Sequence, residues 1–330
     1  MKAKLIVTID TEEEGLWSNR FSGYDNPVKN LAGIPAFQAI CDRHGVRPTY
    51  LVNTPVVSNE KDSAVLDDIL RDGRCEIGCH IHPWNTPPEE DDIASERSYL
   101  CNLPVGLQRK KLATVTAQIE QRFGIRPTSF RAGRYGLDDK GAAILKELGY
   151  IVDSSVCPYM DYSDDGGPDF RTATWRPYFV GNKLLEPSLT CTELVEVPVS
   201  FGFNWTNFAT AHRVDEFLSG PAMRRFRLKG VLERIGVLRK IKFSPEKSDS
   251  KRLSTLASAY TRQAAPCIVM MFHSSSLVPG LSPYVPDPAA LGSFLRTIDE
   301  TFAYCLNTLG MRGATLSEFA AEFRSGCDCD

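Results

Sequence analysis

The chain has 330 residues, 42% of them hydrophobic and 24% charged, with a formal net charge of −3. That length buries a large core and suits one α/β barrel as well as two domains. The charge balance excludes a general nucleic-acid binder, and no apolar run is long enough to span a bilayer.

In chain order, Lys4 to Ile9 is a short, β-branched, apolar run, the pattern of a buried strand. It ends in Asp10-Thr11-Glu12-Glu13-Glu14-Gly15, where Asp10 and Glu12 share a face because side chains alternate along a strand. Glu13 and Glu14 read as a solvated acidic loop. Leu31 to Val46 has helical periodicity, with Ile34, Phe37, Ile40 and Cys41 on one face and Gly45 at its end. A strand over Pro48–Val52 and a helix over Asp62–Leu70 follow. Cys75 to Cys79 is a further strand, leading into His80-Ile81-His82-Pro83-Trp84. The i, i+2 spacing lets His80 and His82 aim both imidazoles at one point, as a borderline metal such as zinc requires. The order β, α, β, α, β predicts a parallel sheet with right-handed crossovers.

Asn85 to Ser98 is polar, with Pro87-Pro88 followed by four acids, and reads as a surface loop at the mouth of a site. A helix over Leu107–Phe123 precedes a strand over Pro127–Phe130, which runs into Arg131-Ala132-Gly133-Arg134-Tyr135. Arginines at a strand end suit an anion or the positioning of a carboxylate. A helix over Asp139–Leu148 and a strand over Tyr150–Val156 follow, the latter carrying Asp153-Ser154-Ser155. Thr172 to Val199 reads as β structure in which Glu196 is structural. Residues 209–263 change character: between Arg224 and Arg252 eleven Lys or Arg are interleaved with Leu228, Val231, Leu232, Ile235, Val237, Leu238 and Ile241. This predicts a basic, amphipathic helical insertion, suited either to an anionic membrane surface or glycan, or to packing with a solvated basic face. Cys267 to Phe272 is a very apolar strand ending at His273, an imidazole placed for acid–base work. A helix over Pro288–Leu309, a short strand over Met311–Thr315 and a helix over Leu316–Phe323 close the pattern.

Cys41, Cys157, Cys267 and Cys305 lie in apolar runs, as buried free thiols do, and a disulfide framework is not expected. Cys327-Asp328-Cys329 sits in a terminal tail. The N-terminus enters a strand at once, without the longer apolar region and cleavage site of a secretion signal, so a cytoplasmic protein is expected.

Asp10/Glu12, His80/His82, Arg131 and His273 thus fall at four strand ends, which in an α/β barrel face one mouth. Metal-assisted hydrolysis is the simplest use of such a set. The ordered motifs resemble those of the polysaccharide deacetylases of the NodB-homology type, carbohydrate esterase family 4. Thr8-Ile9-Asp10-Thr11-Glu12 resembles the first, Glu76-Ile77-Gly78-Cys79-His80 the second and Phe130-Arg131-Ala132-Gly133 the third. Asp153-Ser154-Ser155-Val156 resembles the fourth and Met270-Met271-Phe272-His273 the fifth. The similarity is greatest to the WalW-like branch, associated with lipopolysaccharide core synthesis. The resemblance implies a distorted (β/α)7 barrel over residues 1–330 that removes an N-acetyl group from an amino sugar with a divalent metal, most simply zinc. It makes Asp10 the base, His273 the acid and Arg131 the residue orienting Asp10. Glu12, His80 and His82 would hold the metal, and Trp84, Arg134 and Tyr135 would face the substrate. Two positions depart from the pattern: Thr11 stands where the metal-binding second Asp is expected, and Trp84 where the second His is expected. If Asp10 ligates the metal, Glu12 becomes the base. Two rival readings are an amidohydrolase acting on a small amide and a metal-free glycan-binding barrel docked to a membrane or a glycosyltransferase.

Overall fold

A computed structural model describes residues 2–18, 26–88, 95–220, 223 and 228–326. The acids at 89–92, the arginines at 224, 225 and 227, and the Cys327/Cys329 tail lie outside them. The strands are β1 (Lys4–Thr11), β2 (Thr49–Val52), β3 (Glu76–Ile81), β4 (Ser129–Ala132), β5 (Val152–Asp153), β6 (Tyr178–Phe179), β7 (Val195–Glu196), β8 (Phe201–Phe203), β9 (Lys240–Lys242), β10 (Cys267–His273) and β11 (Arg312–Ala314). Nine of them form one curled sheet in the order β10-β1-β2-β3-β4-β5-β7-β6, with β11 also on β1. All these neighbours are parallel except β6 against β7. Helices fill the crossovers, as the alternating pattern predicts.

β8 and β9 pair antiparallel as a separate ribbon beside the edge of the sheet. Three hydrogen bonds tie the ribbon to the β5 and β10 sides: Val199 N to Val156 O at 3.0 Å, Val269 N to Ser200 Oγ at 2.8 Å and Met271 N to Phe243 O at 3.2 Å. Residues 209–263 are therefore not wholly helical. Beyond the helices Phe208–Ser219, Leu228–Arg234 and Ser250–Arg262, they contribute strand β9.

Alternation along β1 explains where the site lies. Leu5, Val7 and Ile9 point outward into the main core beneath the helices. Ile6 points inward, into a small core with Leu51, Val152, Val195 and Val269, sealed by Leu316, Phe319 and Ala320 of the helix Leu316–Ser325. The inward row continues from Ile6 through Thr8, Asp10 and Glu12. One strand face thus runs from an apolar floor to an acidic mouth.

Among the described residues, seven cysteines are free thiols, six of them buried, and Cys191 is disulfide-bonded. Among the described residues, no helix is long and apolar enough to cross a membrane.

Candidate metal centre and active site

Parallel register brings the strand ends together. Asp10 lies opposite His273 across β1 and β10, and His80 lies opposite Arg131 across β3 and β4. The cleft between them is lined by Asp10, Glu12, His80, His82 and His273, with Leu16, Trp17, Trp84, Arg134 and Tyr135 as walls. All nine site residues expected from the sequence are therefore in or directly behind one cleft; Arg131 is the one behind it.

Glu12, His80 and His82 form a buried cluster whose three side chains could hold a metal ion. Glu12 Oε2 stands 3.1 Å from each Nε2, and the two Nε2 atoms are 3.1 Å apart. Three ligands on a zinc-sized ion at 2.0–2.2 Å stand on the order of 3.3 Å apart. Each imidazole is fixed by its other nitrogen. His80 Nδ1 donates to Arg131 O at 2.9 Å, and His82 Nδ1 donates to Glu13 Oε1 at 2.9 Å. That tautomer turns both Nε2 lone pairs toward Glu12. Two lone pairs and a carboxylate this close need a positive charge among them, a metal ion or a proton, and Glu12 Oε1 is buried with no hydrogen-bond partner. A divalent cation fits this donor set. A proton meets the same field: burial would lower the His82 pKa, but Glu13 and Glu12 raise it to about 10. Burial would likewise raise that of Glu12, yet His80 and His82 hold it far below the ordinary carboxylate value.

Glu13 corrects the sequence reading of a solvated acid. It is fully buried and accepts from His82, from Trp84 Nε1 at 3.1 Å and from Asn53 Nδ2. Trp84 stacks on His82 with ring centroids 4.2 Å apart and planes at 20°. It is only 5% exposed, so it braces the ligand while showing one edge to the cleft. Thr11 turns away, its Oγ1 donating to Ile9 O at 3.0 Å. Asn30 and Ser274 hold the backbone at Glu12: Asn30 Nδ2 donates to Glu12 O at 2.9 Å and Glu12 N donates to Ser274 Oγ at 3.1 Å.

Arg131 is completely buried and fully engaged. Its Nη1 donates to Asp10 Oδ1 at 2.7 Å and Thr8 Oγ1 at 2.9 Å, and Nε and Nη2 donate to Ser154 O and Oγ at 2.8 and 2.9 Å. Burial alone would raise the Asp10 pKa, but Arg131, His80 and His273 lower it, so Asp10 is ionised. Arg131 therefore orients a carboxylate rather than gripping an external anion.

His273 repeats the histidine pattern with a different partner. Nδ1 donates to Glu246 Oε1 at 3.0 Å, while Nε2 faces the cleft, 4.0 Å from Glu12 Oε1. Burial would lower its pKa, but Glu246, with Glu12 and Asp10, raises it to about 9. Glu246 also accepts from Ser276 Oγ at 2.7 Å and His273 N at 3.0 Å. Glu246 and Lys242, whose Nζ donates to Tyr135 OH at 2.9 Å, both come from the basic segment, which thus reaches into the site. Neither Glu246, Lys242 nor Trp17 is marked by the sequence patterns. Trp17, 38% exposed, meets His273 edge-on at 5.1 Å, and a tryptophan just past an acidic strand end was the one available signal. Arg134 lies over the Tyr99 ring at 4.1 Å. Arg134 and Tyr135 are both left-handed, at φ 52° and 60°, the strained backbone that presents them to the cleft.

No family model matches the chain, and no curated protein does. Solved structures do match. A candidate polysaccharide deacetylase from Mycobacterium smegmatis is 15% identical, with a TM-score of 0.54 over 99% of this chain and 95% of that one. A candidate glycoside hydrolase/deacetylase from Parabacteroides distasonis is 12% identical, with a TM-score of 0.63 over 99% of this chain and 73% of that one. At these identities the likeness shows a shared α/β fold with a curled sheet.

Proposed function

We propose that the cleft is the active site of a metal-dependent hydrolase that removes an N-acetyl group from an amino sugar. In this reading the sugar belongs to a surface-glycan or lipopolysaccharide precursor, the enzyme works in the cytoplasm, and the chain resembles the WalW-like deacetylases. Residues 1–330 are one (β/α)7-type domain, and 209–263 are an insertion that lends it Lys242 and Glu246. The observation that carries the reading is the Glu12–His80–His82 cluster, set between an arginine-held carboxylate and a carboxylate-held histidine. Two neighbours described as candidate deacetylases share the fold and add support.

A divalent ion, most simply zinc, would be held by Glu12, His80 and His82 and would supply Lewis acidity at the amide carbonyl and acidify water. Asp10, kept ionised by Arg131, takes the proton of the attacking water. His273, kept protonated by Glu246, gives its Nε2 proton to the departing amine. The products are acetate and a free amino sugar, and both groups return to their starting states by one proton transfer through solvent. Trp17 and Tyr135 offer aromatic surface for a sugar ring, Trp84 one edge, and Arg134 a polar anchor. Thr11 and Trp84 depart from the family pattern in the sequence, and in this reading Glu12 and His82 supply the two ligands instead.

Two measurements test the proposal together: metal content of the purified chain and acetate release from N-acetylated oligosaccharides. About one zinc or similar ion per chain is expected, lost in His80→Ala and His82→Ala along with acetate release. Absence of metal after reconstitution, with no acetate from any N-acetylated glycan, would overturn it. Cell fractionation tests the location.

A further inference from the structure

The apolar residues of the basic segment differ in burial, with Leu232 half-buried against the core. Leu238 and Ile241 are buried, each 2% exposed. Phe217, Leu228, Val231, Ile235 and Val237 are exposed, and they make up five of the eight large hydrophobic side chains exposed among the described residues. Leu228, Val231 and Ile235 follow i, i+3, i+7, so they form one stripe on and just beyond the helix Leu228–Arg234. Val231 is 52% exposed and Ile235 65%, so packing among the described residues does not account for the stripe.

The same helix borders a groove lined by Arg234, Arg239, Lys240, Lys247 and Arg252 with a single acid, Glu233. Some of these cations are already engaged: Lys240 pairs with Asp215 at 3.1 Å and Arg252 with Asp249 at 3.7 Å. Arg239 donates to the Glu233 carbonyl at 2.8 Å. Arg234 and Lys247 have no carboxylate within ion-pair distance among the described residues, so the groove keeps a net positive charge. It also reaches the cleft. Lys247 Nζ lies 6.0 Å from the Tyr284 ring centroid, and Tyr284 meets Trp17, a cleft wall, edge-on at 5.2 Å.

We propose that this surface docks the protein on a bilayer rich in anionic phospholipid, with the aliphatic stripe entering the headgroup region and the basic groove taking lipid phosphates. The pairing decides the occupant. A soluble polyanion would use the cations and leave the aliphatic stripe in water, whereas an anionic bilayer satisfies both. Docked this way, the rim at Trp17 faces the membrane, and the substrate class becomes an amino sugar carried on a membrane lipid. That last clause rests on the deacetylase reading; the docking surface does not.

Flotation with phosphatidylcholine vesicles, with and without phosphatidylglycerol, tests the proposal. The intact chain floats only with the anionic vesicles, and added salt weakens binding. Arg234→Gln with Lys247→Gln lowers partitioning about 30-fold, and Val231→Ser with Ile235→Ser about tenfold. All four positions are exposed or lie on the groove rim, so thermal unfolding should match the intact chain. Failure of the intact chain to float, or equal flotation of both variants, overturns the proposal. So does binding to a soluble sulfated polysaccharide without flotation, which would give the groove to a glycan. None of these outcomes depends on acetate release.

Discussion

Gly133→Ala tests the metal centre without touching a ligand. A Cβ at Gly133 would lie 2.3 Å from His82 Cδ2, 2.6 Å from Ile81 O and 3.0 Å from His82 Nε2. Carbon atoms in contact settle at about 3.5–4.0 Å, so the ring or the loop must retreat by roughly 1 Å. The ring has little room, because Trp84 stacks on it at 4.2 Å and Glu13 holds Nδ1 at 2.9 Å. The loop has little freedom, because Arg134 and Tyr135 already occupy the left-handed region. The displacement therefore falls on the separation of His82 Nε2 from Glu12. Overpacking of this kind costs about 1–3 kcal/mol of stability, and loosened support of a ligand costs about 10–100-fold in metal affinity. A 1 Å error at a reacting centre costs on the order of 100-fold in rate. Zinc titration against a competing chelator reads the affinity, and thermal unfolding in excess chelator reads the metal-independent part. Gly292→Ala is the control: nothing lies within 4 Å of its would-be Cβ in the helix Pro288–Ala303. It should stabilise the chain by about 0.5–1 kcal/mol and leave zinc affinity unchanged. Wild-type zinc affinity in Gly133→Ala would refute the claim that His82 is a ligand packed against this glycine.

Three further outcomes follow from the same geometry. Glu246→Gln keeps the hydrogen bond to His273 but removes the charge that lifts its pKa to about 9. The protonated fraction is then lost at lower pH, so the alkaline limb of the rate profile should move acidward with metal content intact, and an unmoved limb would take the acid role from His273. Glu13→Gln should weaken zinc about 10–100-fold with Glu12, His80 and His82 untouched; unchanged affinity in a zinc titration would show that Glu13 does not orient His82. Asp153 and Glu196 are register partners buried behind Arg131, and burial, with Asp153 alongside, raises the Glu196 pKa well above its ordinary 4.5. The folded state then holds a proton the unfolded chain releases, so this stability is present below about pH 4.5 and is lost as pH rises toward the folded value. Denaturant unfolding of Glu196→Gln should show a flatter decline across that window, and an identical pH dependence would mean Glu196 is not protonated in the fold.

The residues legible in the sequence share one property: each is marked by its position in its own strand. Asp10 and Glu12 continue the inward row of β1, and His80 and His82 that of β3. Arg131 stands next to last in β4 and His273 ends β10. Buried parallel strands announce themselves as apolar runs, and a polar residue at the end of such a run stands out against packing. The β/α alternation that builds the curled sheet is legible for the same reason, since helix and strand periods differ along the chain.

Glu13, Glu246 and Lys242 carry no such local mark. Glu13 is the middle acid in a run of three, and only the approach of β3 across β2 turns it from a solvated side chain into the partner of His82, 69 positions away. Glu246 sits in a segment whose basic character argues for an outer surface, yet Phe243, just after β9, bonds to Met271 of β10 and the turn that follows delivers Glu246 to His273, 27 positions on. Both depend on tertiary closure, where the cost of burying a carboxylate is offset only by a partner that the sequence places far away. Periodicity reads which face a side chain takes. It does not read which distant strand arrives to meet that face, and for this cleft the difference separates the groups proposed to hold a metal or a proton from the groups that set their orientation and charge.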